Sequence, residues 1–421
     1  MLTTKIRVLV SAVALAMALL VSGTAQAQGR GGAQAGADTQ ASRNYRNVPL
    51  WPRPLPNHWV VGSIAGVAVD GQDHVWVTHR GADSLEGNEK GMMADPPTSS
   101  ACCVAAPFVL EFDAAGTLLG SWGGPGQGYQ WPQATGGLAV DSKGNVWITA
   151  AGLEPAPQAA GRGRGAAAPP AGGRGQTPPA PADAHVLKFS RTGQFLLQIG
   201  TPGSMDGPDS QTTLNRPAGI AVDDAANEVY VADAGNHRII VFDATTGAYK
   251  RHWGAYGEQP TAAGGGRYDP AAPPVRQFRD VSCVKVARNG MVYVCDRTSN
   301  RIQVFQKDGS FVREGLVSKN TLGAVATVGT VVLNSAGSVW DLAFSSDPQQ
   351  QYLFVADGHD KKIIVLQRET FAEVAAIGDG GRQPGRFLTV ASVVVDSKGN
   401  LYTGEQHHGK RVQKFAPAPA Q

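Results

Sequence analysis

The chain has 421 residues, a formal net charge of +3, and a hydrophobic fraction of 42%. So balanced a charge lacks the basic footprint of a nucleic-acid binder, and after the N-terminus no stretch reaches the ~20 apolar residues of a membrane-spanning helix. The 53 glycines and 27 prolines suit a fold of many short strands joined by tight turns.

In chain order, Lys5 and Arg7 precede the apolar run Val8 to Val21, and Ala25-Gln26-Ala27 offers the small-x-small pattern that signal peptidase reads. Residues 1–27 are therefore expected to be a Sec-type signal peptide, giving a periplasmic or extracellular mature protein. Residues 28–47, rich in Gly, Ala and Gln as far as Arg43, hold too little apolar surface to offset ordering entropy and read as a flexible linker. The remainder to Phe415 is too long for a single ordinary core but suits a repeat, in which each unit packs only on its neighbours.

That repeat is visible. GVAVDGQDHVWVTHRG from Gly66, GLAVDSKGNVWITAAG from Gly137 and GIAVDDAANEVYVADAG from Gly219 are each an apolar strand, a polar turn and a second apolar strand. CVKVARNGMVYVCDR from Cys283, DLAFSSDPQQQYLFVADG from Asp341 and SVVVDSKGNLYTGEQ from Ser392 repeat the pattern. A third strand follows each hairpin, as in Val109–Phe112, Val186–Phe189 and Ile239–Phe242, and then an outer strand such as Phe195–Gly200. No segment has a helical period. The fold class is all-β: a six-bladed β-propeller of four-stranded antiparallel blades over residues 48–415. The sixth repeat stops after its third strand, before the tail 416–421. An N-terminal strand, read as His58 to Gly62, is expected to complete that blade and close the ring.

Gly152 to Ala184 is an insertion of Ala, Gly, Pro and Arg. It reads as a disordered surface linker, with a polyanion-binding arm through Arg162, Arg164 and Arg174 as the alternative. Two other insertions, Ser84 to Ala106 and Trp253 to Gln277, are candidate recognition loops. Trp253, Tyr256 and Tyr268 are the aromatics that would contact a partner; equally, they could cover a blade edge.

Four cysteines in an exported chain invite a disulfide reading. Hairpin register sets Cys283 opposite Cys295, in the slot held elsewhere by Gly219 with Ala232, Gly66 with Thr78 and Ser392 with Gly404. The pair is either a cross-strand disulfide or two buried thiols. Cys102 and Cys103 are adjacent in a loop, where a vicinal disulfide and metal capture are the alternatives.

Asp233-Ala-Gly-Asn236-His-Arg238-Ile and Asp296-Arg-Thr-Ser-Asn300-Arg301-Ile resemble the Asp…Asn…Arg-Ile signature of NHL repeats. Recurrence from blade to blade marks these carboxylates as structural. Among NHL propellers the chain resembles the peptidyl-α-hydroxyglycine α-amidating lyases through His79-Arg80-Gly81, which would put Arg80 in the place of their catalytic arginine. The resemblance also implies zinc held by three inner-strand histidines. Those positions fall at Gly136, Ser282 and Ala391, and the family's tyrosine has no counterpart beside Asp233. Gluconolactonase-like hydrolases offer no better match: where they hold their metal, this chain has mostly Val, Ala, Gly or Ser. His407-His408 is a weak metal candidate. No cofactor is expected, with zinc and calcium left open. The leading functional reading is a binding module for a protein, peptide or glycan partner; the rival is an amidating-lyase-like enzyme with a degenerate or relocated metal site.

Overall fold

The computed structural model describes residues 44–152, 183–322, 325–328, 331–334 and 337–418. The expected leader at 1–27, the expected linker as far as residue 43, most of the 152–184 insertion and the end of the tail lie outside the described residues; the last residues of that expected linker, Tyr45–Asn47, are a strand instead.

Six four-stranded antiparallel sheets form the blades. From the axis outward, blade 1 is Ile64–Val69, Val75–His79, Val109–Phe112 and Leu118–Trp122. Blade 4 is Val281–Val286, Val292–Asp296, Arg301–Phe305 and Phe311–Leu316. Adjacent inner strands touch in sequence, and the last, Val390–Val395, returns to the first, so the ring is closed. The second strands are covered on both faces and are buried throughout, which is why they read as continuous apolar runs. Outer strands such as Leu118–Trp122 are half-exposed. A two-stranded hairpin, Val325–Val328 with Val331–Asn334, precedes blade 5 and adds no seventh blade.

The ring closes through an N-terminal strand, but through Tyr45–Asn47 rather than His58–Gly62. Asn47 pairs with Phe415 and Tyr45 with Pro417. Trp59–Val60 instead makes a short parallel ladder with Val104–Ala105, inside the long loop of blade 1. The reason is reach. Blade strands are ~4.8 Å apart, so a strand on the outer edge of blade 6 needs a long return to the axis. Residues 48–63 provide that return to Ile64; the short stretch after Gly62 could not. On the way, Trp51 packs on Phe112 of blade 1 and Tyr402 of blade 6, with centroids 5.9 and 4.8 Å away.

Blades meet through very small residues at the axis. A Cβ on Gly219 would lie 2.7 Å from the Cys283 Cα, and one on Gly66 would lie 2.7 Å from the Leu138 Cβ. Farther out the faces interlock, as where Tyr230, Val241 and Trp253 of blade 3 meet Val281, Val294 and Phe305 of blade 4. Fully burying one such large side chain is worth roughly 1.5–3 kcal/mol.

In several blades the second strand ends in an acceptor that holds the preceding loop. Asp233 accepts the Asn215 amide at 2.7 Å and Asp296 those of Arg279 and Asp280 at 2.9 Å; Glu405 accepts that of Leu388 at 2.6 Å. Arg238 and Arg301 then neutralise the buried carboxylates, their Nε atoms 2.8 and 2.9 Å away. The NHL-like signature is thus a turn clamp, each charge paired and hydrogen-bonded as burial demands.

Candidate functional site

Antiparallel blades send two kinds of connection to opposite ends of the ring. Turns within the first and last strand pairs, such as 70–74, 113–117, 141–145 and 190–194, are tight and share one face. Connections from second to third strand and from blade to blade emerge on the other. Among the described residues these include 80–108, 201–216, 254–280 and 378–389. Among the described residues the long connections are on this face.

The axis opens on that face into a cavity of about 110 Å³. At ~10–15 Å³ per water, this holds several waters or the tip of a ligand. Its walls come from bulged starts of the inner strands: the register slips between Pro217 and Gly219, Val281 and Cys283, and Val390 and Ser392. Bulges re-aim side chains, and the residues involved, among them Gly136, Ser282 and Ala391, line the cavity. These are the positions where the lyase resemblance implied zinc ligands. They offer a hydrogen, a hydroxymethyl and a methyl, and the Ser282 hydroxyl donates to the Val339 carbonyl at 2.9 Å. Such a donor set does not fit zinc.

The mouth is cationic. Arg80 and Arg297 each follow the last residue of a second strand, in blades 1 and 4, and Gln406 does so in blade 6. Blades 1 and 4 are diametrically opposed in a ring of six. Arg216 and Asp280 come from the residues just before the inner strands of blades 3 and 4. Asp280 bridges two of the arginines: its Oδ2 takes Arg297 Nε at 2.8 Å and Nη2 at 2.5 Å, and its Oδ1 is 3.7 Å from Arg216 Nη2. The Arg297 guanidinium also lies 4.5 Å over the Trp340 ring. Deeper in, Lys285 pairs with Asp341 at 2.9 Å. Among the described residues, the charged side chains of the lining are Arg80, Arg216, Arg297, Lys285, Asp280 and Asp341.

His79, beside Arg80, is wholly buried. Its Nδ1 accepts the amides of Gly62 and Gly81, both at 3.1 Å, so the ring proton is on Nε2, which donates to the Pro107 carbonyl at 2.9 Å. Burial pushes its pKa down to about 4. It holds the loop as Asp233 and Asp296 do in their blades.

The other candidate residues are dispersed. Trp253 is buried against Phe305 and Tyr230, so it belongs to the core rather than to a recognition loop. Tyr256 donates to Glu314 at 2.9 Å, and burial pushes its hydroxyl up to about 12. Tyr268 sits on the loop face, donating to the Lys319 carbonyl at 2.6 Å beneath the Arg279 guanidinium. Cys102 is joined to Cys103, and Cys283 to Cys295. His408 engages Glu86 at 2.7 Å.

Among the described residues one group has metal-like spacing, Asp70, His74 and Glu111; no sequence motif marks it, because Glu111 of the third strand lies far along the chain from the turn that carries Asp70 and His74. Arg191 of blade 2 fills its centre, pairing with Asp70 at 3.5 Å and closely with Glu111, over the Trp76 ring at 5.5 Å. The guanidinium supplies the positive charge there and ties two blades together.

Comparison with known proteins fits the blade signature. The NHL repeat family matches residues 214–242, the hairpin and third strand of blade 3. A human relative, NHL repeat-containing protein 2, is 26% identical over 221 residues, which are 49% of this chain and 30% of that protein. The chain is a six-bladed β-propeller with an NHL repeat in blade 3. Its match thus spans about a third of the human protein's length. Solved structures similar to this chain include a virginiamycin B lyase from Staphylococcus aureus, with 11% identity, TM-score 0.45 and coverage of 89% of this chain and 99% of that one. A gluconolactonase from Xanthomonas campestris is 16% identical, with TM-score 0.39 and coverage of 70% and 69%. No helix among the described residues is long and apolar enough to cross a membrane.

Proposed function

We propose that this NHL propeller is an exported binding module whose loop face receives a protein or peptide partner. The observation that carries this reading is one-sidedness. The long connections gather around the cationic channel mouth, while the opposite face carries tight turns. A rigid ring presenting loops is the usual way a scaffold separates recognition from stability. Export is supported by the leader pattern at Lys5 to Ala27 and by the pairing of all four cysteines, which an oxidising compartment sustains.

A random-peptide library selected on the immobilised protein tests the reading. Bound peptides are expected to be lost when loop-face residues such as Tyr268 and Met92 are replaced, and kept when turn-face residues such as Lys143 and Asp308 are. The reverse pattern would overturn it. N-terminal sequencing of protein recovered from the periplasm or medium is expected to begin at Gln28; recovery with Lys5 retained would remove the export proposal.

A further inference from the structure

We infer that the axial cavity on the tight-turn face is a binding site for a small, uncharged and largely apolar molecule. It lies at the end of the ring opposite the loops and is separate from the partner proposed for them. Its volume is about 490 Å³, and every residue that lines it is among the described residues. Small-molecule pockets run from ~300 to ~1,000 Å³. The wall repeats from blade to blade. Val69, Val140, Val222, Val286, Phe344 and Val395, one from each blade, hold the same register position near the end of the inner strand. Each packs into the seam with the preceding blade yet is only half-buried, so the rest of its side chain belongs to the cavity. Deeper along the same strands, residues such as Leu138 and Ile220 add a second aliphatic tier.

The polar groups fix the class of ligand. Charged side chains of the lining are turned to partners within the protein. Asp73 takes the Ser397 amide and hydroxyl at 2.9 and 2.6 Å, Asp396 the Tyr402 hydroxyl at 3.0 Å, and Arg288 donates to the Asp347 carbonyl at 2.7 Å. Farther in, Lys285 pairs with Asp341 at 2.9 Å. An ionic ligand would shed its hydration against side chains already committed to one another, and Asp70, Asp73 and Asp396 oppose an anion. Neutral hydrogen-bonding groups come from the backbone. The Asp70, Asp141 and Asp396 amides donate to His74, Asn145 and Asn400, which sets the phase of these antiparallel pairs. Alternation then turns the amide and carbonyl of the residue before each toward the axis. The Val393 amide, in the same phase, points away from its strand partner and donates to Asp341 of blade 5 at 3.1 Å. An apolar body with a few neutral donors or acceptors matches both sets of groups. Phe344, held edge-on by Tyr293 at 5.0 Å, and the seam-packed valines form the wall in advance, so little order is lost on binding.

Equilibrium dialysis of the full chain with N-phenylnaphthylamine, a neutral apolar probe, tests the site. Anilinonaphthalene sulfonate presents the same skeleton with an anionic group, and protonated aminoacridine is a cationic ring system. The neutral probe is expected to bind once per chain and about tenfold or more tighter than either ion. Val222→Asp should abolish that binding. The shape-conserving double change Val140→Thr with Val395→Thr should weaken it about threefold or more, with circular dichroism and melting temperature near those of the wild type; it decides the matter if Val222→Asp does not fold. Tyr268→Ala, on the loop face, should leave probe binding unchanged. Absence of saturable binding, equal or tighter binding of either ion, loss of binding in Tyr268→Ala, or undiminished binding in the folded threonine variant would overturn the inference. None of these outcomes alters the peptide selection expected at the loop face, so the two proposals stand or fall separately.

Discussion

Asp357 stands across its strand pair from Lys362, at the register position where Asp233 faces Arg238 and Asp296 faces Arg301. The substitution breaks the clamp, because the Lys362 ammonium reaches Asp360, at 3.9 Å, instead. Asp357 keeps the amides of His359 and Asp360 and the Ser318 hydroxyl. Without a guanidinium, burial pushes its carboxyl up to about 6 from 3.8.

A folded-state pKa above the unfolded one stabilises the fold at low pH, and that contribution is lost as pH rises from about 4 through about 6. Two units correspond to at most roughly 3 kcal/mol. Asp357→Asn keeps the acceptor oxygen and removes the charge. It is expected to raise stability at pH 7 by about 1–3 kcal/mol, with the gain vanishing near pH 4. Urea melts at both pH values check this.

His79 acts in the opposite sense. Its folded pKa of about 4 lies below the ordinary 6.5, so the unfolded chain takes up the proton first and stability falls as pH drops from 6.5 towards 4. Burial pushes His185 down as well, in the same direction. In the Asp357→Asn variant this loss is no longer offset. The variant's stability is therefore expected to fall more steeply with acidification than the wild type's, as a pH series of thermal melts will show.

Gly219→Val is expected to be among the most damaging single changes. The added Cβ would lie 2.7 Å from the Cys283 Cα and 2.8 Å from the Ser282 oxygen, both backbone atoms of the next blade. Overpacking of this kind costs about 1–3 kcal/mol or more. Melting temperature measures it, with Gly71→Ala, where nothing lies within 4 Å, as the unaffected control.

Tyr45→Ala tests the ring closure. The Tyr45 hydroxyl donates to the Gly399 carbonyl at 3.0 Å, and its ring meets Phe354 edge-on at 5.6 Å. A loss of about 1–3 kcal/mol is expected from the missing contact and hydrogen bond. Faster proteolysis near Val412–Pro417, whose edge would be uncovered, should accompany it.

The hairpins were legible because alternation and turn chemistry set their register: Gly219 faces Ala232 and Cys283 faces Cys295, as the sequence implies. The closing strand was not. Tyr-Arg-Asn has no strand pattern of its own and is held by the edge it completes, while the more apolar Trp59-Val60 drew attention and serves a loop. Arg80 stood out through its tripeptide, but Arg216, Asp280 and Arg297 are dispersed along the chain and meet only when the ring forms. Aligning the residue after each second strand would have found Arg297 beside Arg80; no local signal marks Arg216.

Hydrogen–deuterium exchange of the full chain with and without a library-selected peptide addresses the loop-face assignment most directly. Slowed exchange is expected in 80–108 and 254–280 and around Arg216 and Arg297. Slowing confined to the tight turns at 113–117, 190–194 and 243–247, with those loops unchanged, would contradict it.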